Sequence, residues 1–137
     1  MLEKLVGPAF AVGVVLAGSL ATAGQANAAS SPIEACGGGS YHVIDQRELP
    51  ESTVYLLYNG STNCVVTWKT RWVGTKTAVA ATIQIANDDS TYKRDDNAYE
   101  YYAGPVKVSA RGKCIIWGGG TPGASANNWE SKPSHCG

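Results

Sequence analysis

Apolar and polar residues alternate along most of the chain after residue 40, with the two-residue period of β-strands. The runs that show this period are YHVIDQREL (41–49), TVYLLY (53–58), CVVTWKTRW (64–72), AVAATIQIA (78–86), VKVSAR (106–111) and CIIW (114–117). No stretch of ten or more residues in this part follows a helical period. The pattern predicts an all-β fold, an antiparallel sandwich or small barrel of about six or seven strands.

Three of these runs also predict which side chains are buried. In 53–58 apolar residues occupy both faces, so both faces should be covered. In 64–72 the alternation is typical of a half-buried strand; one face carries Cys64, Val66, Trp68, Thr70 and Trp72, and the other Val65, Thr67, Lys69 and Arg71. Trp68, Trp72 and Trp117 are therefore predicted core residues. In 78–86 the predicted inward residues are Val79, Ala81, Ile83 and Ile85.

Two dipeptides are predicted to form turns. Asn59-Gly60 follows the second run, and both residues tolerate the positive φ that tight hairpin turns require. Gly104-Pro105 precedes the fifth run and is interpreted in the same way.

The segment 87–97 is strongly polar and contains Asp88, Asp89, Asp95 and Asp96. Several carboxylates on one flexible loop can bind calcium. Their spacing matches no alternating calcium-binding loop, however, and Lys93 and Arg94 lie between the two pairs. We interpret the aspartates as turn-forming pairs that flank a short strand, and we predict no metal.

Residues 1–28 have the features of a secretory signal peptide. Lys4 precedes the mostly apolar stretch 5–20, and Ala26-Asn27-Ala28 fits the small-residue pattern at which signal peptidase cleaves. Glycines and a proline interrupt the stretch, which disfavours a membrane-spanning helix. The sequence therefore predicts an exported protein whose residues 29–137 form a single all-β domain, with no membrane association after cleavage.

All four cysteines lie in this predicted domain, so disulfide bonds are expected in an oxidising compartment. Of the three possible pairings we favour Cys36–Cys64 and Cys114–Cys136, because each joins a terminal segment to a nearby strand. No C-x-x-C pair and no zinc-type spacing is present.

Charge and histidine content exclude several kinds of function. The formal net charge is zero, which argues against nucleic acid and anionic membranes as partners. His42 and Asp45 fall on opposite faces of a strand, and His135 adjoins a cysteine expected to be bridged. We therefore predict no catalytic residue, no cofactor and no enzymatic activity. A small hydrolase that uses scattered carboxylates is the enzymatic alternative.

The aromatic residues outside the strand cores give the main candidate binding surface. Its members are Tyr92, Tyr99, Tyr101 and Trp129. Exposed tyrosines beside a tryptophan suit a sugar or a protein, whereas packing under a loop is the structural alternative. The loops 73–77 and 118–128 are candidates for a rigid protease-inhibiting loop.

Five blocks of the sequence carry a family resemblance: ACGGGSYHVIDQREL, TVYLLYNGSTNCVVTWKT, VGTKTAVAATIQI, YEYYAGPVKVSARGKCIIWGG and the terminal SHCG. Together they resemble the spore-associated protein A family, small secreted proteins of filamentous spore-forming actinobacteria. The resemblance includes all four cysteines and implies an exported protein found on spores or the cell surface. It implies no reaction, cofactor or catalytic residue.

The sequence as a whole thus predicts a secreted, non-enzymatic protein associated with the spore or cell surface. Its expected partners are cell-wall or spore-surface polymers, or a secreted protein. The alternative is an extracellular binding module, either a carbohydrate binder or a protease inhibitor.

Overall fold

The computed structural model describes residues 29–137, so the predicted signal peptide lies outside the described residues. A four-residue helix, α1 (Pro32–Ala35), precedes the strands. Eight strands follow: β1 (His42–Glu48), β2 (Ser52–Tyr58), β3 (Thr62–Lys69), β4 (Thr77–Ile85), β5 (Asp88–Tyr99), β6 (Tyr102–Ser109), β7 (Ile115–Gly120) and β8 (Asn128–Glu130). A short 3-10 helix (Ser125–Asn127) leads into β8.

The strands form two four-stranded antiparallel sheets. The first has the order β1-β2-β3-β6 and the second the order β5-β4-β7-β8. The main core lies between them and consists of Val54, Leu56, Val65, Val79, Ala81, Ile83, Ala103, Val106, Val108, Ala110, Ile115 and Trp117. The predicted all-β sandwich and the inward face of β4 are confirmed.

The strand in the polar segment is longer than the sequence predicted, and one further strand was not expected, so the count is eight. The polar segment 87–97 was predicted to hold turn-forming aspartates, but all four lie inside the long strand β5. β5 is the edge of the second sheet and pairs only with β4, so most of its side chains face solvent. Charged side chains on an edge strand also hinder its unpaired backbone groups from pairing with another chain. The further strand, β8, is only three residues long.

The outer face of the first sheet is covered by the N-terminal segment 29–41. A second cluster forms there from Cys36, Leu57, Cys64 and Val66, with Tyr41, Tyr55, Trp68 and Tyr102 packed against it. β3 is therefore buried on both faces, and the half-buried prediction was wrong for this strand. The prediction that both faces of β2 are covered is confirmed.

Both predicted disulfide bonds are present. Cys36–Cys64 fastens the N-terminal segment to β3, and Cys114–Cys136 fastens the C-terminal segment to the start of β7. The sequence did not predict that residues 29–41 cover the outer face of the first sheet, because this segment contains no long apolar run.

Of the predicted turns, one is confirmed and one is wrong. Asn59 begins the β2–β3 turn, and its Oδ1 accepts hydrogen bonds from the backbone N–H groups of Ser61 and Thr62, at 3.1 and 2.8 Å. Gly104-Pro105 lies inside β6, at an irregularity in its pairing with β3. Proline lacks an N–H donor and is tolerated in a sheet at such irregularities.

The glycines of β7 allow neighbouring chains to pack closely. A Cβ atom at Gly119 would collide with Thr67 on the facing sheet, and one at Gly118 would collide with the backbone of Trp129 on β8. Glycine is the only residue that leaves space for both approaches. This packing positions the Trp129 side chain discussed below.

Candidate functional site

The four candidate aromatic residues lie in two separate clefts. Tyr92 and Trp129 line a cleft of about 320 Å³ on the second sheet. Tyr99 and Tyr101 line another of about 400 Å³. Tyr99 and Trp129 also pack against the main core, whereas Tyr92 and Tyr101 are exposed.

The Tyr92–Trp129 cleft is built from polar side chains around one anchored ring. Trp129 packs edge-to-face on Trp117, with ring centroids 4.8 Å apart. The Arg47 guanidinium lies 5.2 Å from the centroid of the Trp129 ring. Arg94, which also lines the cleft, forms an exposed ion pair with Asp96 at 2.8 Å. Trp129 therefore serves mainly in packing, and Tyr92 is the accessible ring.

Three exposed apolar side chains lie at one end of the sandwich, where the β3–β4 loop (70–76) meets the β5–β6 turn (100–101). We name this region the aromatic end and define it by Trp72, Val73 and Tyr101. These side chains are 55, 55 and 42 % exposed, and among residues 29–137 only three other large apolar side chains are exposed. The Gly74 N–H of the loop donates to the Glu100 carbonyl of the turn, and the Lys69 N–H at the end of β3 donates to the Tyr101 carbonyl, both at 2.9 Å.

Trp72 corrects the sequence prediction that placed it in the core. β3 ends at Lys69, so the alternation that buried Trp72 does not continue to it. The backbone of Trp72 is in the left-handed region, with φ of 57°. Bulky residues rarely adopt this conformation. Gly74, two residues later, was the sequence signal that the strand had already ended.

A buried lysine holds the β3–β4 loop. Lys69 is 5 % exposed, and its Nζ donates hydrogen bonds to the carbonyls of Trp72, Thr75 and Tyr99, at 3.0, 2.6 and 2.8 Å. Burial lowers the pKa of Lys69, and the nearby Glu100 carboxylate opposes that shift. Sequence reasoning missed this role, because Lys69 looks like an ordinary polar position in an alternating strand.

Beneath the aromatic end, Tyr99 is tied to β6 through Asp95. The Tyr99 hydroxyl donates to Asp95 Oδ1 at 2.6 Å, and the Gly104 N–H donates to Asp95 Oδ2 at 2.7 Å. The hydrogen bond to Asp95 raises the pKa of Tyr99 to about 12, with burial and the Asp95 charge adding to the effect. The Asp95 carboxylate is thus engaged on both oxygens.

This hydrogen bond predicts a loss of stability at high pH. Because the pKa of Tyr99 is raised above its ordinary value of 10.0, its contribution is present below pH 10.0 and is lost as pH rises towards about 12. Tyr99→Phe should lower the free energy of unfolding at neutral pH by about 1–2 kcal/mol and make this alkaline decline smaller. Urea unfolding across the pH range, with tyrosinate absorbance, measures both effects.

Tyr101→Phe is the matched control, since the Tyr101 hydroxyl has no hydrogen-bond partner in the described part of the chain. An unchanged alkaline decline in Tyr99→Phe would contradict the assignment.

The opposite end of the sandwich contains a cavity of about 460 Å³ and the pair His135–Asp45. His135 Nε2 lies 3.0 Å from Asp45 Oδ2. Asn63, which is 4 % exposed, also lines the cavity. Within residues 29–137 no hydroxyl or thiol is hydrogen-bonded to His135, and no group of three or more His, Cys, Asp or Glu residues is placed to hold a metal ion.

Two of the carboxylates available to a hydrolase, Asp95 and Asp96, do not converge. Asp95 and Asp96 are consecutive on β5, so their side chains leave opposite faces of the strand. Asp95 bonds to Tyr99 and Gly104, whereas Asp96 pairs with Arg94 on the exposed side. The two carboxylates therefore do not face a common bond.

Comparison with known proteins places the chain in a family. It is 41 % identical over 130 residues to spore-associated protein A of Streptomyces coelicolor, an alignment that covers 88 % of this chain and 82 % of the relative. The chain belongs to the spore-associated protein A family. The resemblance found in the sequence blocks is thereby confirmed. No family model and no solved structure matches the chain.

Membership in the spore-associated protein A family supplies no active-site residue. The candidate surface of Tyr92, Tyr99, Tyr101 and Trp129 stays a prediction, to which the structure of this family member adds Trp72 and Lys69. In residues 29–137, no helix has the length and apolar character needed to cross a membrane.

Proposed function

We propose that this protein is secreted and acts without catalysis as a component of the spore or cell surface. The observation that carries the proposal is the 41 % identity to a relative named for its association with spores. The predicted signal peptide at residues 1–28 supports export.

The disulfide bonds add a physical argument for an extracellular location. All four cysteines are paired, and such bonds persist in oxidising compartments but not in the cytoplasm. An exported domain of this size has a small core, so two covalent links stabilise it substantially.

The partners of the reactive side chains support a non-catalytic role. The thiols are oxidised, and the Lys69 ammonium is occupied by three backbone carbonyls. Asp95 is bonded to Tyr99 and Gly104. Groups that other proteins use as nucleophile or base here hold the fold together.

The second candidate function is an extracellular binding module, which the aromatic end favours. A substrate-like protease inhibitor presents an extended segment. The β3–β4 loop instead contains a tight turn, in which the Thr75 N–H donates to the Trp72 carbonyl at 3.0 Å. Residues 118–120 of the other candidate loop belong to β7. The geometry therefore favours a carbohydrate binder over a substrate-like inhibitor.

Location can be tested with antibodies raised against the folded protein. Intact, unpermeabilised spores and filaments of the producing strain should be labelled, and a strain that lacks the gene should not. Detection only after the cells are broken, in the cytoplasmic fraction, would contradict the proposal.

A further inference from the structure

We propose that the aromatic end binds a polysaccharide, with the rings of Trp72 and Tyr101 stacked on sugar rings. The inference rests on the proposed surface association and names the face and the ligand class that would produce it.

The shape is that of a cleft beside the loop that carries Trp72, and Trp72 itself lines a separate cleft of about 100 Å³. The cleft of about 400 Å³ is lined by Tyr99, Tyr101, Tyr102, Lys76 and Glu100. This volume lies within the range of small-ligand sites, roughly 300–1,000 Å³. The hydrogen bond between Gly74 and Glu100 holds the loop of Trp72 against the turn that forms one wall of the cleft.

The chemistry suits a sugar, which has an apolar face of C–H groups and a rim of hydroxyls. Aromatic rings present a negative face that attracts such C–H groups. The Arg71 guanidinium lies 5.0 Å from the centroid of the Trp72 ring. Trp72 is still 55 % exposed, so this contact leaves much of the side chain accessible. Lys76 and Glu100 are exposed at the cleft and can bond to hydroxyls as donor and acceptor. Within residues 29–137 neither Arg71 nor Lys76 forms an ion pair.

The rigidity of the loop lowers the entropic cost of binding. Lys69 fixes the loop through the carbonyls of Trp72 and Thr75, and the Thr70 and Arg71 N–H groups both donate to the Glu51 carbonyl. Trp72 is kept at φ of 57°, a conformation that is costly for a bulky residue and that is found most often at functional positions. A loop whose backbone is fixed before binding loses little freedom on binding.

A polysaccharide fits better than a protein partner. Protein hot spots are apolar anchors that enter a pocket of the partner. Here Tyr101 borders one concave cleft of this molecule with Lys76 and Glu100, and Trp72 borders a separate cleft with Arg71 and Glu51. An extended chain of sugar units can lie along such a surface and contact both Trp72 and Tyr101.

The test is a sedimentation assay of the disulfide-bonded secreted protein with three insoluble probes: peptidoglycan sacculi, chitin and cellulose. The wild type should bind at least one of them, and Trp72→Ala and Tyr101→Ala should each bind it at least about tenfold more weakly. Trp72→Phe, which keeps a ring, should retain more binding than Trp72→Ala. Tyr92→Ala is the matched control, because Tyr92 is 44 % exposed but lines the Tyr92–Trp129 cleft. The affinity of this variant for the probe should stay within about twofold of the wild-type value.

Several results would overturn the inference. They are wild-type protein that binds none of the three probes, alanine variants that bind as well as wild type, and equal loss in Tyr92→Ala. Binding to sacculi that disappears when the sacculi are treated with protease would indicate a protein partner instead. Circular dichroism of each variant confirms folding, which truncation of exposed rings should leave intact.

The same variants separate this inference from the proposed function. If wild-type and Trp72→Ala proteins label intact spores equally, the polysaccharide inference fails and the surface location stands. If the wild type binds a probe but is absent from spores and filaments, the location fails and the binding site stands.

Discussion

Replacing Cys36 and Cys64 together by alanine is expected to lower the free energy of unfolding by about 4–5 kcal/mol. The bond joins residues 28 positions apart. In the chain-entropy description, a loop of this size contributes about 3–4 kcal/mol. The two cysteines are also 1 and 0 % exposed, so their loss removes packing against Leu57 and Val66.

Urea unfolding of this double variant measures the effect, and Cys114→Ala with Cys136→Ala provides the comparison. That bond spans 22 positions and Cys136 is exposed, so its loss should cost less, about 3 kcal/mol. The variant without Cys36–Cys64 should also expose the outer face of the first sheet and bind a hydrophobic dye. Equal stability of wild type and this variant would show that residues 29–41 do not depend on the bond.

Lys69→Met is expected to lower the free energy of unfolding by about 3 kcal/mol and to release the β3–β4 loop. Methionine preserves most of the apolar stem but leaves the carbonyls of Trp72, Thr75 and Tyr99 without their donor. Each unsatisfied buried polar group costs about 1–3 kcal/mol. The total for three carbonyls is reduced because the loop can move so that water bonds to some of them. Limited proteolysis should then cut within residues 70–76.

Lys107→Met is the matched control for this variant. The Lys107 Nζ donates to one carbonyl, that of Cys36 at 2.7 Å, and the residue is only partly buried. Its replacement should cost about 1 kcal/mol and leave residues 70–76 resistant to protease. If the two variants lose the same stability and show the same cleavage, Lys69 does not organise the loop.

The parts of this fold that sequence predicts well are those set by local pattern. Alternation identified β4 and its inward residues because the larger apolar side chains, Val79, Ala81 and Ile83, all lie on the face towards the main core. The turn at Asn59 was predictable because its side chain bonds to the backbone within three residues. The cysteine pairing followed from their positions near the chain ends and adjacent strands.

The parts that sequence missed depend on contacts between distant residues. Lys69 is recognisable as a loop anchor only when Tyr99, 30 positions away, supplies a carbonyl. The sequence placed Trp72 in the core because the alternation of apolar and polar residues continues to residue 72. In the structure β3 ends at Lys69, where the loop begins. β5 was not recognised as one long strand because an edge strand can be polar along most of its length.

The candidate site shows the same division. Aromatic density near residues 92–102 pointed to Tyr99 and Tyr101, yet burial separates the exposed Tyr101 from Tyr99, whose hydroxyl is bonded to Asp95. The sequence could not join Tyr101 to Trp72, because their proximity arises from hydrogen bonds between two different hairpin segments.

The central claim is that the protein leaves the cytoplasm and reaches the spore or cell surface with its thiols already paired. The most direct measurement is mass spectrometry of protein eluted from intact spores, after free thiols have been alkylated and without reduction. We predict a chain that begins at Ala29, carries no alkylated cysteine and yields linked peptides for Cys36–Cys64 and Cys114–Cys136. An alkylated chain that retains residues 1–28 and occurs only inside the cell would contradict the account.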